Sequence, residues 1–209
     1  MRMHVQLMRS FLMHAQLRRR PAAASLRLAL AAVFFWLAMF HGMLAAHTPG
    51  AHVHGEATLN VVADGAQLEI QLLAPLDSVL GFEHAPRTDT QREAVRAMAA
   101  RMRQAQRLFA TTPQAGCSAT SVRLVSASLP AQLLGETAAP SRQLGQGASG
   151  HDDLEASFVF RCASPDRLRG FDSSLQMAFP GIRTLKVRVV SARGQQSVVL
   201  SRGRTSVQW

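Results

Sequence analysis

The residue types best suited to chemistry gather near one point of the chain. His52-Val53-His54 is a His-x-His pair. In extended backbone, residues i and i+2 face the same way, so two imidazoles there can converge on one ion. Glu56 continues the same phase and adds a carboxylate, and His47 lies a little upstream. Two further places join imidazole to carboxylate: Glu83-His84 and His151-Asp152-Asp153. Imidazole with carboxylate is an ordinary ligand set for zinc, which takes about four ligands. These residues also have plainer uses. A His-x-His pair occurs in chain termini that hold no metal, and His84 can serve Glu83 or the helix start after it as a hydrogen-bond partner. Five histidines in the 163 residues from His47 onward are no enrichment, so the metal reading rests on pattern and not on number.

Other chemistries lack their residues. There is no Gly-x-Ser-x-Gly, phosphate loop, dinucleotide fingerprint or His-Glu-x-x-His. Glu69 and Glu83 have no evident catalytic partner, and no tyrosine is present to build a stacking surface. No enzymatic activity is expected.

The elements that must position these residues begin after an amino-terminal segment of different character. Arg18, Arg19 and Arg20 precede an uncharged apolar run from Leu28 to Phe40, and Leu44-Ala45-Ala46 is an acceptable cleavage site before His47. The run has the length of a signal-peptide core and is short for a membrane span of roughly 20 residues. Residues 1–46 are therefore expected to be an export signal, with a retained anchor as the alternative; translation from Met8 or Met13 would give a shorter leader. Six of the 23 basic residues precede His47 and none of the 13 acidic ones does, so the net charge of +10 falls to +4 beyond it. No later stretch has the Lys and Arg density of a phosphate-tracking surface, which excludes nucleic acid as a partner.

Residues 47–209 are long enough for one domain with a real core. Cys117 and Cys162 are its two cysteines. In an oxidising compartment they are expected to form a disulfide; two free buried thiols are the other reading. Alternating apolar residues predict a hairpin of residues 58–62 and 68–72 across Asp64-Gly65. Thr88-Asp89-Thr90-Gln91 fits a capping box, and Val95, Met98, Met102, Ala105 and Leu108 form one apolar stripe, so a long helix is predicted from there, with Pro113 and Gly116 ending the unit. Arg92, Arg96, Arg103 and Arg107 fall on or beside its wet side. Strands are expected at 120–127 and 154–161, with a flexible Ala-, Gly- and Ser-rich loop at about 128–150 between them. Ser164-Pro165-Asp166 reads as a helix start. Leu168, Phe171, Leu175 and Phe179 recur on one face, predicting a second helix to Phe179. A hairpin of 184–190 and 196–200 closes the chain. The fold class is α+β: a mostly antiparallel sheet or sandwich built from hairpins and packed by two main helices.

The segment from His52 to Val61, His-Val-His-Gly-Glu-Ala-Thr-Leu-Asn-Val, resembles the opening of the ZrgA-type periplasmic zinc-binding proteins, a domain long catalogued as of unknown function. Gly81 to Thr88 (Gly-Phe-Glu-His-Ala-Pro-Arg-Thr), Gly116-Cys117, Phe158 to Pro165, Phe179-Pro180-Gly181 and Arg193-Gly194-Gln195 match in order, so the likeness spans essentially all of the chain after the leader. It implies an exported protein with a β-rich core and helices. It also implies zinc binding and help in zinc uptake beside an inner-membrane ABC-type transporter. By position it carries His52, His54 and His84 over as family histidines, with His151 at the edge of the family's His-rich loop. Two departures stand out. The loop at Ala138 to Gly150 has no histidine, and Glu56 stands where many members have another. The expectation is a periplasmic zinc-binding accessory protein of reduced capacity, with ligands from His52, His54, His84, Glu56 and His151. The alternative is an interaction module that docks on the transporter without metal.

Overall fold

The computed structural model describes residues 53–137 and 153–209. The expected opening hairpin is present. Strands β1 (Glu56–Asp64) and β2 (Gln67–Pro75) pair antiparallel, closing at Asp64 and Gln67 around Gly65, whose φ of +52° suits glycine. Alternation decides which face is buried. Leu59 and Val61 from β1 and Leu68, Ile70 and Leu72 from β2 point into the core, while Glu69 and Gln71 lie on the other face.

Helix α1 (Leu76–Leu80) follows directly on β2 and ends at Gly81 in the left-handed region, φ +82°. Helix α2 (Asp89–Met102) starts with the predicted capping box: the Thr88 hydroxyl accepts from Gln91 N at 3.2 Å, and Gln91 Oε1 accepts from Thr88 N at 3.3 Å. Its stripe of Val95, Met98 and Met102 is buried. The helix stops sooner than its stripe does. The chain breaks at Arg103 and Gln104 before a short turn, α3 (Ala105–Leu108), that keeps Ala105 and Leu108 in the core.

Strand β3 (Phe109–Thr111) and a 3-10 turn lead to β4 (Cys117–Val125), which pairs with β5 (Asp153–Cys162). Cys117 and Cys162 face each other in that register and are joined as a disulfide. Within the stretch expected to be a loop, α4 (Ala131–Leu134) forms one turn and buries Leu134; residues 138–152 lie outside the described residues.

The second long helix is not found. Its span holds a 3-10 turn at Pro165–Arg167, strand β6 (Gly170–Ser173) and a turn, α5 (Leu175–Ala178). Leu168, Phe171, Leu175 and Phe179 are all buried as their spacing suggested, but by a strand flanked by turns. Pairing outweighed periodicity here, because β6 lies between β3 and β9 (Ser206–Gln208). At Gly170 a Cβ would stand 2.0 Å from Val207 O, so only glycine allows the strands to approach this closely.

Strands β7 (Thr184–Ser191) and β8 (Gly194–Leu200) complete a six-stranded sheet in the order β4-β5-β2-β1-β7-β8. It is antiparallel except where β1 runs parallel to β7. The three-stranded sheet β3-β6-β9 packs on it through Phe109, whose ring meets Phe158, Phe160 and Phe171 edge-on at centroid distances of 4.9, 6.5 and 5.6 Å. The fold is α+β, mostly β, with short helices.

Candidate metal centre

One edge of the large sheet collects the start of β1, the end of β2 with α1, and the starts of β5 and β7: Glu56 lies opposite Thr184, and Pro75 opposite Asp153. The hairpin thus returns α1 to the residues just before β1. There His54, Asp77 and Glu83 converge. Each offers one ligand atom, and those atoms all lie within 4.8 Å of one another. This is the only such group of three or more among the described residues.

His54 Nδ1 stands 2.5 Å from Asp77 Oδ2 and 3.6 Å from Glu83 Oε1. Its side chain is 67 % exposed, against 27 % for Asp77 and 39 % for Glu83, so the cluster opens to solvent. The hydrogen bond to Asp77, then the charges of Asp77 and Glu83, raise the imidazole's pKa above its ordinary 6.5; Arg183 opposes them. Asp77 sits in the first turn of α1, while Glu83 follows that helix in the loop after Gly81.

The backbone beneath His54 is tied on several sides. Arg183 Nη2 donates to His54 O at 2.8 Å, and the Arg183 and Thr184 amides donate to Gly55 O at 2.7 and 2.9 Å. Gly55 N donates to the Ser78 hydroxyl at 3.0 Å, and that hydroxyl donates to Asp77 Oδ1 at 3.0 Å. Gly55 has φ +83°, and a Cβ there would meet Arg183 Nε at 2.5 Å. Both facts call for glycine.

The residues singled out from sequence fare differently. His54 is in the cluster. His84 is not part of it: its Nδ1 lies 2.9 Å from Ala85 O and its ring packs on Phe82, centroids 5.2 Å apart. Such a bond to a carbonyl fixes an imidazole's tautomer and leaves Nε2 free to ligate. The Glu56 carboxylate pairs with Lys186 across the β1–β7 strands and stays out of the cluster. His52 and His151 lie outside the described residues. Asp77 is absent from the ligand set expected from the sequence, and Glu83 figures there only beside His84 and as a carboxylate with no evident catalytic partner. No local spacing marks Asp77, because 23 residues and a hairpin separate it from His54.

The site is thus a solvent-open His/Asp/Glu cluster on a disulfide-tied α+β domain, a donor set without thiolates that could hold a metal ion. The comparison with known families names the family: the model described as ZrgA family zinc uptake protein matches residues 51–209, and the chain belongs to that family. Membership assigns it a role in zinc uptake. The disulfide agrees with an exported protein. No curated protein matches the chain.

Proposed function

We propose that this protein is a periplasmic zinc-binding accessory factor that takes up the ion at His54, Asp77 and Glu83 and passes it to an inner-membrane ABC-type transporter, with no covalent chemistry of its own. The convergence of three ligand atoms within 4.8 Å carries this reading. Zinc is the cargo. One imidazole and two carboxylates suit it, and a set of three leaves a position for a fourth ligand. His52, two residues before His54, and His84, with Nε2 free, are the candidates for that place, as is His151, two residues before Asp153 at the same sheet edge. Solvent exposure and the lack of thiolates favour exchange over storage. An amino-terminal export signal ending near Ala46 would deliver the domain to the periplasm.

Protein purified from cells expressing the full chain is expected to bind zinc when titrated calorimetrically. His54→Ala combined with Asp77→Asn should weaken binding at least about tenfold, as the loss of two ligands requires. An unchanged affinity would rule the site out. A second reading has support in the short contact between His54 and Asp77, which already pairs the two side chains without an ion. In that case the pair is a clasp for the start of β1, and the same double variant would lower thermal stability in a protein with no zinc affinity.

A further inference from the structure

We infer that Ser78 and Arg183 are positioning residues for the metal centre, keeping His54 and Asp77 beside each other before any ion arrives. The inference rests on the metal reading above and adds a layer beneath the ligands. Ser78 is a buried polar residue, 4 % exposed, in a helix of five residues. Its hydroxyl is used in both directions: it accepts from Gly55 N, next to His54, and donates to Asp77 Oδ1. One oxygen therefore links the backbone of the first ligand to the carboxylate of the second. With Oδ1 engaged, Asp77 presents Oδ2 toward His54.

Arg183 closes the other side. Its guanidinium donates to His54 O while its own amide donates to Gly55 O, so one residue grips the backbone on both sides of the His54–Gly55 junction. The segment that brings Arg183 also presses on Ser78, for a Cβ on Gly181 would lie 2.3 Å from Ser78 O. An exposed histidine just ahead of the first strand would otherwise lose backbone freedom on capturing an ion, and that ordering costs affinity. Fixing the backbone in advance removes part of the cost. It also leaves the ring itself open to solvent. Groups that orient metal ligands typically change affinity 10–100-fold when removed.

The test compares the parent protein with Ser78→Ala, Arg183→Met and His54→Ala, each purified from cells expressing the full chain. Zinc affinity is read by competition with a chromophoric chelator, cobalt(II) absorption reports ligand geometry, and melting of the metal-free protein reports folding. Ser78→Ala and Arg183→Met should each weaken zinc binding about tenfold or more and shift the cobalt bands. Affinities within twofold of the parent and unshifted cobalt bands would overturn the inference, whatever happens to the melting temperature. If the buried Ser78→Ala variant fails to fold, the exposed Arg183→Met variant decides alone. His54→Ala separates the two levels: its loss of binding beside intact Ser78 and Arg183 variants rejects positioning only, whereas its unchanged binding rejects the site.

Discussion

At His54 two demands meet on one ring. Nδ1 contacts Asp77, while zinc requires the neutral imidazole, so capturing the ion must displace a proton that the carboxylates retain. The sign follows from the raised pKa. In the metal-free protein the His54–Asp77 pair contributes stability that is fully present below about 6.5, the unfolded value, and is lost as pH rises through the higher folded value. Zinc affinity should run the opposite way, rising up to about tenfold per pH unit until the folded pKa is passed. An NMR titration of the metal-free protein should place the His54 midpoint above 6.5, and Asp77→Asn should lower it. A midpoint at or below 6.5 in the parent protein would contradict the geometry described.

Among the elements, the end of α2 is the most instructive. Spacing carries the apolar stripe through to Leu108, yet the helix ends at Met102; Arg103 is exposed, as its place beside the wet face suggests, and its guanidinium reaches across as a tie. Its guanidinium donates to Val122 O at 3.0 Å, to Leu134 O at 2.7 Å and to Glu136 Oε1 at 2.8 Å. Glu136 in turn accepts from Leu124 N at 3.0 Å. One cation thus fastens α2 to β4 and α4. Arg103→Ala should cost about 2 kcal/mol in urea unfolding, since charge-assisted bonds to partly buried groups are lost. A loss under about 0.5 kcal/mol would mark the tie as a solvated surface contact. The same limit of periodicity explains the helix expected over 164–179. An apolar residue every three or four positions reports burial, and both a helix and a strand between turns can supply it. What settled that segment was pairing with β3 and β9, contacts distant in sequence.

For the molecule as a whole, the disulfide makes a contribution that can be tested directly. Cys117–Cys162 spans 45 residues, and closing a loop of that length is worth roughly 4 kcal/mol in the chain-entropy model. Replacing both cysteines with serine should lower unfolding free energy by about that amount in denaturant titration, and the reduced parent should match it. A change below about 1 kcal/mol would show that sheet pairing alone holds β4 to β5. The sequence by itself determined much of this protein. Alternation marked the buried faces of β1 and β2, the capping box started α2, two cysteines predicted one bridge, and the runs around His54 and His84 pointed to the family. These are local signals, in which side-chain type and spacing act within a few residues. The tertiary structure alone decided that β1 runs parallel to β7, that Lys186 holds Glu56, and that Asp77 and Glu83 are the residues meeting His54. The physical reason is that a metal centre is defined by distances of a few ångströms, and here a hairpin and a helical turn bring ligands 23 residues apart onto one sheet edge.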